Sequence, residues 1–356
     1  MSTAGPAESR PGKFDPRATF IGRLLLGNQV LTGPVIGLIA ILTFFIILIA
    51  WNGEPGDLSR FLGFKNLQVL LKGITVTGVI SLGALLIIIC GGIDLSVGSV
   101  VALVTVVTMQ VFRLVYARSG SSEIASLVAV PAGIAVGGLC GLIDGLIITK
   151  LGVRPFVTTL GMLSIARGLA VWLAGGHSVS FPEGKTPGWV TSLAEVHAKT
   201  TLVNPGFWTL IALAIAASVL LRYTVLGRYC YAIGSNEAAA RLCGVSIDRN
   251  KIVIYTLAGL LTGWGGILMF AQGGSGEPTG AVGLELDVIA AVVIGGASLS
   301  GGRGTVTGTL LGVFILGILS NGVSELKVPV EIRYILTGAI IVVNTALSQW
   351  QRRERE

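Results

Sequence analysis

The chain has 356 residues, 52% of them hydrophobic and only 12% charged, with 51 glycines and a net charge of +7. A mean hydropathy of +0.83 excludes an ordinary soluble domain, in which about a quarter of the residues carry charge. The basic excess does not imply nucleic acid, because Lys and Arg sit between apolar runs, the arrangement that orients membrane helices.

Ten apolar stretches are predicted to cross a bilayer, at 30–51, 67–90, 95–116, 124–148, 155–175, 207–222, 253–271, 286–299, 305–323 and 333–350. A span needs about 20 residues, so the eighth is short and requires irregular backbone or help from its neighbours. The fold class is an all-α polytopic membrane protein. A polar segment 1–28 leads into one transmembrane domain over 29–350, followed by a tail at 351–356. The first apolar run is too long for a signal-peptide core, and no A-x-A site follows it, so it reads as an uncleaved span. Starting inside, cytoplasmic segments hold fifteen Lys and Arg against nine on the other side, which predicts both termini in the cytoplasm. Two five-span halves would run in opposite directions, so an inverted repeat is geometrically possible.

Between the second and third spans, Gly91 and Gly92 precede Asp94 and Ser96. Asp94 or Ser96 could cap the third span. The broken backbone also suits a translocation path, because irregular chain in a membrane must be buried or line a cavity. In the fourth span Gly133, Gly137, Gly141 and Gly145 lie on one helical face, which lets another helix approach closely; packing within the chain is preferred to a dimer seam. Asp144 at the end of that span reads as an interfacial charge. Arg167 lies near the middle of the fifth span and requires a partner in the protein interior; Asp94, Glu285 and Asp287 are the candidates.

The outer loop 176–206 carries Phe181, Pro182, Pro187 and Trp189, and reads equally as a lid, a docking surface or a connector. The loop at about 223–252 is basic. Within it Ser235 or Asn236 can cap a short helix, with Glu237 in the first turn, where the helix dipole favours an anion. Arg241 stands four residues on, in ion-pair register, and Gly244 supplies a left-handed stop. Ala238, Ala239, Ala240 and Leu242 keep this helix slim, so it suits insertion into a groove of another protein; an amphipathic connector is the alternative. Glu285 and Asp287 before the eighth span could cap it or, near the outer mouth, meet a delivering protein. The glycine-rich link 295–304 with Ser298, Ser300 and Arg303 reads as simple turn chemistry or as part of an inner gate.

Enzyme signatures fail. Gly184-Lys185-Thr186 lacks the earlier glycine of a phosphate loop, and Gly302-Arg303-Gly304 lacks dinucleotide spacing. The only histidines, His177 and His197, share the outer loop, and no HExxH or GxSxG occurs. Cys90, Cys140, Cys230 and Cys243 form no CxxC pair, so reduced thiols and no metal are expected.

The run EAAARLCG (237–244) resembles the coupling segment of importer permeases of the ATP-binding-cassette class. GGIDLSVGS (91–99), ITKLGVRPFVTTLGMLSIARGLA (148–170), YAIGSNEAAARLCGV (231–245) and LELDVIAAVVIGGASLSGGRGTVTGTLLG (284–312) together resemble its monosaccharide branch, the ribose/xylose/galactose permeases. The resemblance implies a type II-like inner-membrane subunit that dimerises with a second permease copy. It would receive substrate from an extracytoplasmic sugar-binding protein and be driven by cytoplasmic ATPases, which use ATP and Mg; this chain would bind no cofactor. Glu237, Ala238, Ala239, Arg241 and Gly244 would couple to the ATPase. Asp94, Ser96, Arg167, Glu285, Asp287 and Ser298 are candidates for the path or gate. An ion-coupled secondary transporter and a permease for branched-chain amino acids are the competing readings.

Overall fold

The computed structural model describes residues 29–54, 56–195, 203–326, 335 and 338. The expected tenth span and both terminal segments lie outside them. Thirteen helices and one two-stranded ladder make up the described residues, and eight of those helices are long and apolar enough to cross a membrane. They are α1 (Gln29–Asn52), α3 (Phe64–Ile89), α4 (Val97–Ser119), α5 (Ser122–Lys150), α6 (Pro155–Ala174), α8 (Pro205–Tyr223), α11 (Ile247–Gly273) and α13 (Val306–Glu325). The chain is therefore a multi-pass membrane protein. Large apolar side chains such as Ile39, Phe44, Leu127 and Ile165 stand exposed on the helices, the surface that hydrocarbon rather than water solvates.

The central helix is α3, buried over nearly all its length from Leu71 to Ile89. It packs against α11 and α8 in one core and against α12 (Leu284–Ile294) and α13 in another. A third core joins α4, α5 and α6 to the short α7 (Gly188–Ala194). The glycine face of α5 packs inside the chain. Gly137 and Gly141 lie backbone to backbone against Gly259 and Gly263 of α11, Gly145 meets Ile252, and Gly133 meets Thr108 of α4. No Cβ fits at these positions, and at Gly137, Gly141 and Gly145 contact is made through the main chain, which lets the helices pack closely in lipid.

The expected eighth span is a half-helix. α12 has 11 residues, about 16 Å at the rise of an α-helix, against roughly 30 Å of hydrocarbon. The chain reaches it through a descending segment. After α11, β2 (Ser275–Gly276) pairs antiparallel with β1 (Val179–Ser180), Arg113 of α4 holds the Ser180 carbonyl, and the Glu277 amide donates to Thr105 Oγ1. The segment then runs along α4 until Ala281 and Glu285 abut Gly98 in its first turn.

The described part of the outer loop is ordered. Phe181 packs edge-on against Phe112 and Phe270 at 4.8 and 5.3 Å, and Trp189 donates to Ser126 Oγ. His197 lies outside the described residues, while His177 Nδ1 sits 2.7 Å from the Gly175 carbonyl.

Candidate functional site

The basic loop is mostly helical. α2 (Asp57–Phe61) precedes α3 elsewhere in the chain; here α9 (Val225–Ser235) and α10 (Glu237–Leu242) follow α8, and α11 begins at Ile247 rather than at 253. Asn236 caps α10 by accepting the Ala239 amide at 2.9 Å, so of the two expected caps Asn236 serves. Gly244 has φ 81; its amide donates to Arg241 and that of Val245 to Ala240, the paired bonds of a Schellman stop.

Glu237 takes Arg241 at 3.5 Å, as the spacing predicts, but its closer partner is Lys251 at 2.7 Å. Lys251 lies in the first turns of α11, so this pair ties the short helix to a helix that crosses the molecule. Ala240 is buried against the scaffold, whereas Ala238, Ala239 and Arg241 face outward and Leu242 is 90% exposed. A capped, stopped and braced helix thus presents small side chains and one bare leucine.

Immediately before it, α9 is fastened to two other elements. Gly234 lies against the Ile89 carbonyl and the Gly302 amide, with Gly91 and Gly301 completing the contact. Gly302 N–H donates to the Ile89 carbonyl at 2.8 Å. The Tyr231 hydroxyl donates to the Gly304 carbonyl at 2.8 Å, and burial holds its phenol above the ordinary tyrosine range, so it remains a donor. The two glycine-rich breaks, at 91–96 and 295–304, therefore meet at one junction beside α10. Ser298 belongs to this junction, its carbonyl accepting the Gly301 amide and its own amide donating to Arg303.

The other predicted path residues gather around the start of α4. Asp94 Oδ1 accepts both the Ser96 amide and the Ser96 hydroxyl, at 2.8 and 2.7 Å; the Ser96 side chain makes no capping bond to α4, because its hydroxyl is turned back to Asp94. Arg167 finds main-chain carbonyls where a carboxylate was expected: Nη1 donates to Pro278 and Gly280, both at 2.8 Å, while Glu285 attracts it through space. Glu285, expected near an outer mouth, lies far from the Ser119 end of α4. It and Asp287 lie in the first turn of α12, and Glu285 sits against Gly98, about 30 Å along α4 from its Ser119 end. Asp144, expected as an interfacial charge, is buried in the protein: it is 1% exposed, and its Oδ1 has no hydrogen-bond partner.

Lys251, Gly234 and the 277–283 segment were missed from sequence. The repeat Gly259-x-x-x-Gly263 was the one visible signal for the far side of the glycine seam.

Residues 66–345 match the family described as branched-chain amino acid transport system / permease component. The chain belongs to this family. The permease is 37% identical to the ribose import permease protein RbsC of Escherichia coli (strain K12), over 80% of this chain and 85% of that protein. It is 32% identical to the L-arabinose ABC transporter permease protein AraH of Azospirillum brasilense, over 83% of each chain. It is 29% identical to the fructose import permease protein FrcC of Rhizobium meliloti, over 88% of this chain and 86% of that one. No solved structure matches the permease.

Proposed function

We propose that this permease is the membrane-spanning subunit of an ATP-driven importer of a monosaccharide or related polyol. The observation that carries the reading is α10: a capped helix with an exposed Leu242, braced by the Glu237–Lys251 pair and continuous with the glycine junction of α3, α9 and the 295–304 loop. Such a helix is a handle. A partner that moves α10 pulls Lys251, and with it α11, while α9 pushes on both chain breaks. That is a physical route from an engine in water to helices in lipid. A secondary transporter has no use for it. The named relatives transport pentoses and a hexose, which favours a sugar over a branched-chain amino acid.

In this reading Glu237, Ala238, Ala239, Arg241 and Gly244 couple to cytoplasmic ATPase subunits, which hold the ATP and Mg; the permease binds no cofactor and performs no covalent chemistry. Asp94, Ser96, Arg167, Glu285 and Asp287 hold the half-helix α12 and the start of α4 beside the path, and Ser298 belongs to the gate at the glycine junction. An extracytoplasmic binding protein delivers solute to the end opposite α10. The permease dimerises with a second permease copy in the bacterial inner membrane, with both termini in the cytoplasm.

The test is reconstitution into proteoliposomes with ATPase subunits and a sugar-binding protein. Uptake is expected to need ATP and both companions, to stop with vanadate, and to ignore collapse of proton and sodium gradients. Gradient-driven uptake by the permease alone would end the proposal.

A further inference from the structure

The geometry points to a solute-binding site in a cavity of about 310 Å³ between α4, the last turn of α11, β2 and the descending segment. This rests on the importer reading above and gives that reading a place of binding. The volume stands at the small end of ligand pockets, which run about 300–1,000 Å³, and suits a single ring. None of the path candidates read from sequence lines it.

Among the described residues the lining is polar and holds no cation. Thr105, Gln272, Ser275 and Glu277 supply hydroxyl, amide and carboxylate groups, and Ala102 and Met269 supply an apolar wall. Part of this polar capacity is spent on holding the site in shape. Thr105 Oγ1 donates to the Ala102 carbonyl and accepts the Glu277 amide. Gln272 Nε2 donates to the Lys72 carbonyl at 3.1 Å, and Glu277 accepts from the hydroxyls of Ser178 and Thr279 at 2.6 and 3.2 Å. What remains faces a ligand: the Gln272 carbonyl and second amide hydrogen, the free lone pairs of Glu277, and the Ser275 hydroxyl. Neutral donors and acceptors around one carboxylate, beside an apolar wall, match a polyhydroxylated ring with its C–H face. An amino acid would bring a carboxylate, and no cation among the described lining residues receives it.

Placement agrees. Ile247 and Gly273 bound the 27 residues of α11, about 40 Å at helical rise, with α10 near the first end and the cavity at the last. The cavity therefore lies near the end at which a delivering protein would dock. One wall belongs to the segment whose Pro278 and Gly280 carbonyls Arg167 holds, which turns into α12 at Ala281, φ 58, and Gly283, φ 83. A side chain seldom adopts the first of these values, so the turn beside this wall has an unusual shape.

The experiment uses the reconstituted complex and labelled ribose, arabinose and fructose. A Cβ at Gly273 meets nothing nearer than Ser275 Oγ at 3.9 Å, so Gly273→Leu adds bulk at the cavity lining from an unobstructed Cβ position. Uptake is expected to fall at least tenfold while the complex still co-purifies. Ser275→Ala removes one hydrogen bond and is expected to raise KM by about two- to tenfold with Vmax retained. In a Cys243→Ser background, Ser275→Cys is labelled with a membrane-impermeant methanethiosulfonate, and the transported sugar should slow labelling; this arm decides the matter should Gly273→Leu fail to assemble. Wild-type kinetics in both variants, with no protection of the introduced thiol, would overturn the site and leave the importer reading standing. Import of a branched-chain amino acid in place of any sugar overturns the importer's sugar class, and protection of the thiol by that amino acid alone overturns the polyhydroxyl chemistry of the cavity.

Discussion

The amide of Gly302 donates to the carbonyl of Ile89 at 2.8 Å, fastening the loop between α12 and α13 to the end of α3. Gly234 closes over this bond with no space for a Cβ. Gly234→Ala must therefore push the three segments apart, at about 1–3 kcal/mol for overpacking. The expected result is a Tm several degrees lower in detergent and uptake reduced more than binding of the ATPase. Unchanged Tm and uptake would show that the junction is loose.

Lys251 is the partner of Glu237 that links α10 to α11. Glu237→Gln and Lys251→Met should each lower ATP-driven uptake, and the double variant should be no worse than the poorer single one. That non-additivity is the signature of one shared contact. Since the Glu237 side chain is 43% exposed, little change in folding stability is expected. Additive losses in the cycle would separate the two residues.

Leu242 is 90% exposed on the outer face of α10, while Gly244 ends that helix at φ 81. Leu242→Glu is expected to abolish co-purification with the ATPase subunits and leave the Tm of the isolated permease in place. Gly244→Val forces a β-branched residue into the left-handed region, costing roughly 1–2 kcal/mol, and should weaken co-purification as well. Should both variants assemble and transport normally, α10 is not the handle.

Asp144 is buried with one carboxylate oxygen unpartnered. A carboxylate within a membrane protein costs free energy unless it is used. Asp144→Asn keeps the shape and removes the buried acid, so Tm is expected to rise by a few degrees with uptake unchanged. A fall in either quantity would assign the carboxylate a task.

Some features were legible because their physics is local. Asn236, Glu237, Arg241 and Gly244 lie within about two helical turns, so cap, ion pair and stop follow from spacing. The glycine face of α5 was equally plain, at every fourth residue from 133 to 145. Other features were hidden because their partners are remote in sequence. Arg167 could be assigned a need for a partner, yet its partners are the carbonyls of Pro278 and Gly280, and main-chain oxygens carry no residue signature. The α12 run looked like a short span, and nothing in its composition said that the chain approaches it by descending beside α4.

The apolar runs by themselves settled that this protein lives in a bilayer and where most of its helices lie, since hydrocarbon thickness and backbone hydrogen bonding leave a chain this apolar few alternatives. Only the tertiary structure decided what those helices enclose. The meeting of Gly91, Gly234 and Gly302, and of Thr105 with Glu277, joins segments between about 70 and 210 residues apart. Main-chain contacts of that kind depend on where whole helices come to rest against one another, and the side-chain order of any one helix does not encode them.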